Sequence, residues 1–225
     1  MQAVIFDMFE TLASLFEGRS YFSEDMAKDA GIPEKEFKEA WHKTEEGRST
    51  GKYTVGEAVS IVLNELGAFS GEVKDVILRG RQRNLEDTFS ADLSGSVSML
   101  KRLKEEGYKI GLISNCYSDE RDMIKKSVMF PFFDAAVLSY EAGMCKPDER
   151  IFRMCLQKLD VSADKCLYVG DGGSKELFAA RDIGMKPLQC LYYHHLAYEP
   201  HIPCGKLDGF DHIYDRSELF SYLDP

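Results

Sequence analysis

The sequence predicts an α/β fold: a parallel sheet with helices on both faces, interrupted after its first strand by a block of four helices. Three observations carry this. A short apolar run, "AVIF", stands at the start and ends at an acid, Asp7. From about Ser20 to Leu85 apolar residues recur at three- and four-residue intervals with no strand signal. Beyond Leu93, strand-like and helix-like segments alternate to the end of the 225-residue chain.

Taken in order, the apolar run Ala3 to Phe6 reads as a buried strand that delivers the Asp7 carboxylate to a sheet edge. "YFSEDMAKDAGI" and "EKEFKEAWHKTEEG" read as helices separated at Gly31 and Pro33, with Pro33 suited to the first turn of the second. "GRSTGKYT" reads as a polar loop. "TVGEAVSIVLNELG" and "SGEVKDVILRGRQRNL" complete the helical block. "SGSVSMLKRLKEEG" is helical, with Gly107 as its stop, and leads into the strand "YKIGLISN". The alternation continues with the helix "DERDMIKKS", the strand "DAAVLS", the helix "DERIFRMCLQKL" and the strand "KCLYVGD". It closes with the helix "KELFAARDIG" and the strand "PLQCLYY". The expected division is a catalytic core of residues 1–14 and 90–225 around a helical insertion of residues 15–89.

Composition bounds the function. An apolar fraction of 44% is enough for a full core. A net charge of −10 repels phosphate backbones, so nucleic acid is excluded as a general partner. A small anionic substrate remains open, because a metal or a few cations reverse the field inside a cleft. Six cysteines without CxxC pairing read as reduced thiols. With no apolar run of membrane-spanning length and no basic-then-apolar leader, the expectation is a cytoplasmic protein without membrane contact. The oligomeric state stays open.

Ligands of open parallel sheets bind beyond the carboxyl ends of the strands. The residues there are Asp7, then Ser114 and Asn115, then Lys146, then Asp171, with Glu176 on the following helix. One such acid is ordinarily a helix cap. Two carboxylates, a hydroxyl, an ammonium and a further acid on one rim suggest phosphoryl transfer. Asp7 would attack phosphorus, Asp7 and Asp171 would hold a divalent cation, Lys146 would neutralise charge, and Ser114 would donate to a phosphoryl oxygen.

"FDMFETL", "LISN", "GMCKPDERIF" and "VGDGGSKEL" resemble, in order, the four motifs of the haloacid dehalogenase superfamily of hydrolases. The resemblance implies a Rossmann-like core with a helical cap over the site. It implies Asp7 as nucleophile, Ser114 as phosphate-binding hydroxyl, Lys146 as stabilising base and Mg²⁺ as cofactor. The metal would be bound by Asp7, Asp171 and the Phe9 backbone carbonyl, with Glu176 as direct or supporting ligand. Asn115, Arg48 and Lys52 are the expected substrate contacts, the last two because the cap region of "EGRSTGKYT" often faces the substrate in this family.

Phe9 departs from the pattern. Phosphatases of the superfamily mostly carry there an aspartate that protonates the leaving oxygen, and phenylalanine has no proton to give. An aromatic at this position is also found in 2-haloacid dehalogenases, which act at carbon without metal but lack an acid corresponding to Asp171. Arg19 and Arg48 match the halide-binding arginine of those enzymes poorly. The expected function is therefore a magnesium-dependent phosphatase of a small phosphorylated metabolite. A metal-free hydrolase acting at carbon, and a weakly active phospholigand-binding protein, are the alternatives. Trp41 reads as packing, His194 and His195 as a surface loop, Cys116 and Cys145 as small hydrophobes, Glu10 as a solvated turn residue, and "RGRQR" as a solvated helix end.

Overall fold

A computed structural model describes residues 1–199, 201 and 204–223. Six parallel strands form one sheet: β1 (Ala3–Phe6), β2 (Lys109–Ser114), β3 (Ala135–Leu138), β4 (Cys166–Gly170), β5 (Lys186–Cys190) and β6 (Asp211–Ile213), in the order β3-β2-β1-β4-β5-β6. Strand β6, only three residues long and set in polar sequence, carries too little apolar pattern to be anticipated. Between β1 and β2 lie α1 (Ser23–Ala30), α2 (Glu34–Lys43), α3 (Glu45–Ser49), α4 (Val55–Glu65), α5 (Gly71–Ser90) and α6 (Ser94–Glu105). Among the described residues the remaining α-helices are α7 (Ser118–Lys126), α8 (Ser139–Ala142), α9 (Glu149–Leu159) and α10 (Glu176–Asp182).

The two-residue period of β1 divides the core. Val4 and Phe6 join Leu100, Leu103 and Leu219 on one face, while Ala3 and Ile5 join Phe152, Tyr168 and Leu177 on the other. Because β1 is paired on both sides, Ala3 with Lys109 and with Cys166, its end lies at the centre of the sheet. The direction of strand progression reverses between β1 and β4, and that reversal opens a crevice at their carboxyl ends.

The inserted helices α1 to α5 bury a cluster of their own, built on Met26, Phe37, Trp41, Val62, Leu63 and Ile77. Local signals fix their ends. Thr54 accepts from the Glu57 backbone N–H at 3.2 Å and the Glu57 carboxylate accepts from Thr54 at 2.7 Å, a reciprocal cap for α4. The segment expected as a polar loop is partly helical: Gly47, Arg48 and Ser49 belong to α3 and are buried, because the Arg48 guanidinium lies 3.8 Å from the Trp41 ring centre and 4.7 Å from that of Tyr117.

"RGRQR" is not a helix end, and although Arg79, Gln82 and Arg83 are exposed as expected, Arg81 is not. The segment lies inside α5, which runs on to Ser90, and Arg81 is buried. Its guanidinium donates to Asp119 at 2.7 and 3.1 Å and to Glu120 at 3.0 Å, tying the insertion to the start of α7. Burial pushes the Glu120 carboxyl up, and Arg81 opposes that shift. Arg81→Ala leaves Glu120 buried without its cation and is expected to cost about 3–5 kcal/mol in chemical denaturation. A loss below about 1 kcal/mol is what a solvated surface pair gives and would refute this role.

Candidate active site

Asp7 follows β1 directly, and its backbone N–H donates to Val169 in β4 at 2.9 Å, so the sheet ladder itself sets its position. The carboxylate accepts from the Met8 N–H at 2.8 Å and from Lys146 Nζ at 2.6 Å. The Lys146 side chain is 1% exposed and that of Asp7 10%, so the pair is shielded from water. Burial raises the Asp7 carboxyl, Lys146 lowers it, and the net direction is up. For Lys146 burial acts downward, but Asp7 and Glu176 outweigh it and hold the ammonium charged.

Asp171, at the end of β4, and Glu176, at the start of α10, complete an acidic group with Asp7; one oxygen from each lies within 4.8 Å of the others. Burial, then Glu176 and Asp7, push the Asp171 carboxyl up to about 8. Three carboxylates share this space with one ammonium, Lys146. A hard divalent cation with oxygen ligands fits that donor set, and its charge would relieve the mutual repulsion. Glu176 is fully buried and accepts from the Gly172 N–H at 2.7 Å and the Ser174 N–H at 2.8 Å, so it also holds the loop that follows β4. Gly172 is required there: its φ is +100°, and a Cβ would lie 2.9 Å from the Leu207 side chain.

Ser114, at the end of β2, is buried and donates to the Asn115 carbonyl at 3.3 Å. Asn115 clamps the neighbouring loop. Its Oδ1 accepts from the Lys146 N–H at 2.8 Å and its Nδ2 donates to the Lys146 carbonyl at 3.1 Å. The sequence singled out Asn115 as a substrate contact; its amide is engaged in placing Lys146. Arg48 and Lys52, the two cations expected together, are separated. Arg48 is buried within the insertion, bonded to the Trp41 carbonyl and to Thr44 Oγ1, whereas Lys52 is exposed.

Sequence reasoning missed two further residues. Gln189, fully buried in β5, donates to the Asp171 carbonyl at 2.8 Å and the Gly205 carbonyl at 3.0 Å. Tyr168 in β4 brings its hydroxyl within 3.4 Å of Lys146 Nζ. A glutamine among the apolar residues of "PLQCLYY" was the available signal for the first; nothing in "CLYVG" distinguishes a tyrosine with a partner from one that only packs.

The model of the haloacid dehalogenase-like hydrolases matches residues 1–184. The chain belongs to this family. It is 28% identical over 110 residues to a glyceraldehyde 3-phosphate phosphatase of Pyrococcus abyssi, a match covering 48% of this chain and 46% of that protein. The chain thus spans about half the length of the curated relatives it matches. Among solved structures, a HAD phosphatase of Thermococcus onnurineus aligns with a TM-score of 0.64 at 18% identity, over 99% of this chain and 97% of that one. A 2-haloacid dehalogenase of Pseudomonas syringae aligns with a TM-score of 0.68 at 19% identity, over 98% and 97%. Structural likeness to both kinds of enzyme shows the fold.

In this haloacid dehalogenase-like hydrolase the turn after β1 brings Phe9 over the rim, its ring centre 6.3 Å from that of Phe89. Glu10 has a φ of +56°, an uncommon left-handed setting for a side-chain-bearing residue. It is half-buried rather than solvated: its carboxylate accepts from Ser14 Oγ at 2.7 Å and the Leu15 N–H at 2.9 Å, and burial pushes it up to about 7. His194 and His195 lie outside the acidic group, in a short 3-10 turn, and Cys116 is buried. Trp41 is part of the insertion's own core, as expected. Among the described residues no helix is long and apolar enough to cross a membrane.

Proposed function

We propose that this hydrolase is a magnesium-dependent phosphatase of a small phosphorylated metabolite, acting through an aspartyl-phosphate on Asp7. One observation carries the reading: Asp7, Asp171 and Glu176 present oxygens within 4.8 Å of one another beside a buried lysine. A dehalogenase of this superfamily works without metal and has no use for an acid at the position of Asp171.

Asp7, Asp171 and the Phe9 carbonyl would hold the cation, with Glu176 beside them. When bound, magnesium would neutralise charge on the phosphoryl oxygens and on the carboxylates. The protein's own groups do the rest. A carboxylate oxygen of Asp7 attacks phosphorus, the bond to the alcohol oxygen breaks, and the alcohol departs with that electron pair. Lys146 holds Asp7 in place and faces a phosphoryl oxygen, while Ser114 donates to another. Water then cleaves the acyl phosphate, releasing phosphate and restoring Asp7. The helical insertion serves as a cap that keeps bulk water out. Six unpaired cysteines suit the reducing cytoplasm.

The test is phosphate release from aryl phosphates with magnesium and with chelator. Magnesium-dependent release supports the reading. Halide release in chelator would favour carbon chemistry, and binding without turnover would favour a phospholigand-binding role. With Phe9 in place of an acid, alkyl phosphates are expected to react about 10²–10⁴-fold more slowly than aryl ones when chemistry limits. Equal rates would reveal a general acid elsewhere.

The two cap cations divide under this reading. Lys52 would reach the substrate from the exposed loop, whereas Arg48 has only its Nε without a hydrogen-bond partner. Lys52→Ala is expected to raise KM without changing thermal stability. Arg48→Ala is expected to raise KM and also to lower the melting temperature, because it empties the space between Trp41 and Tyr117. An unchanged KM in both variants would remove them from substrate contact.

A further inference from the structure

Two cavities meet at Phe9, and they differ in chemistry. The smaller, of about 380 Å³, lies against the helical insertion and includes Arg81, Asn84, Asn115, Tyr117 and Glu120 in its walls. Several of its polar groups already have partners. Arg81 donates to Asp119 and Glu120, the Asn84 amide donates to the Leu15 carbonyl at 3.0 Å, and Asn115 holds Lys146. The Tyr117 hydroxyl accepts from Arg48 at 3.3 Å, and Glu120 accepts from the Tyr117 N–H at 2.8 Å. Its wall also holds Ser23, Glu45, Ser49 and Ser174, so it is the more polar of the two.

The larger cavity, of about 940 Å³, is continuous with the catalytic rim at Asp171 and Gly172. Phe9, Leu15, Phe16, Phe22, Phe178 and Leu207 supply most of its side-chain lining. Phe16 and Phe22 pack with ring centres 5.5 Å apart, and Phe178 is held edge-on against Phe210 at 4.8 Å, so the wall is braced before any ligand arrives. Of its ionisable residues, Asp171 belongs to the acidic group, Glu10 is bonded to Ser14 and Leu15, His201 is paired with Glu24 and packed on the Phe22 ring, and Lys175 is exposed. A polyol in this space would lose water and meet phenylalanine and leucine side chains that offer no hydrogen bonds. An aromatic ring there would bury apolar surface on both sides.

We propose that the alcohol part of the substrate is aromatic, and that Phe16, Phe178 and Leu207 select it. This rests on the phosphatase reading above and narrows it to aryl phosphate esters. A second observation points the same way. The position from which an acid would protonate the leaving oxygen is held by Phe9, and a phenol departs as a weak base that needs that proton least.

The experiment uses non-hydrolysable phosphonates, so that binding is measured apart from turnover. Wild-type protein with magnesium is titrated calorimetrically with (2-naphthylmethyl)phosphonate and with (2,3-dihydroxypropyl)phosphonate. The aromatic ligand is expected to bind at least about tenfold more tightly. Phe178→Ser, at an exposed position, and Phe16→Ser, neither adding charge near the acidic group, are each expected to remove most of that advantage while leaving the dihydroxypropyl ligand unaffected. Equal affinity for the two ligands in the wild type, or an advantage that persists in both variants, overturns the aromatic assignment and leaves the phosphatase reading intact. If neither ligand binds, the phosphoryl site itself is wrong, and the proposal falls with it.

Discussion

Asp7→Asn is expected to reduce turnover by a factor on the order of 10⁴–10⁶, the range seen when an enzyme loses a catalytic group of its covalent machinery. The amide is nearly isosteric and keeps an oxygen that can accept from Met8 and Lys146, the two donors that now hold the carboxylate at 2.8 and 2.6 Å. What it lacks is the negative, nucleophilic oxygen. The fold should survive, because the Asp7 backbone is fixed by its bond to Val169 and by β1 pairing on both sides. The measurement is single-turnover phosphate release from an aryl phosphate, alongside far-ultraviolet circular dichroism. A folded variant with near-normal rates would exclude covalent catalysis by Asp7.

The second large effect concerns the cation. Asp171→Ala removes one of three carboxylates whose oxygens share a 4.8 Å space, and magnesium affinity is expected to fall by two orders of magnitude or more, about 3 kcal/mol. The variant should stay folded. The loop after β4 remains anchored by Glu176 through the Gly172 and Ser174 N–H groups, and by Gln189 through the Asp171 carbonyl, which the substitution retains. Calorimetry with magnesium, with and without a phosphate analogue, reads the change directly. Absence of binding to the wild type under both conditions would remove the metal site and shift weight to hydrolysis at carbon.

Asp7 and Asp171 were legible because a parallel sheet makes position in sequence a proxy for position in space: each follows an apolar run, and those runs end on one rim, whereas Lys146 stands beyond α8 and is held there by Asn115. The alternation beyond Leu93 was legible for the same reason. Charged residues buried through distant partners were not. Arg81 meets Asp119 and Glu120 across the junction of insertion and core, and Arg48 lies against Trp41 and Tyr117; no local periodicity announces such contacts, so Arg81 looked solvated and the burial of Arg48 was missed. Asn115 was placed correctly at a strand end, but the direction of its amide, toward the Lys146 backbone, depends on a loop that sequence does not position. Glu10 was misjudged as solvated because its carboxylate turns back on Ser14 and Leu15.

The strand order has a consequence for how the molecule assembles. β1 comes earliest in the chain, yet its neighbours in the sheet are β2, beginning at Lys109, and β4, beginning at Cys166. The inserted helices contact one another, α1 with α2 and α5 and α4 with α2 and α5, and all of them precede β2, so they can condense while the rest is still being synthesised. The central strand must wait. Two long loops have to close around it before its backbone is paired on both sides, and the entropy of that closure is met only when β4 arrives. Asp7 is therefore translated early and brought into register late. Catalytic competence should be among the last properties a refolding chain acquires, well after most of its helical signal has returned.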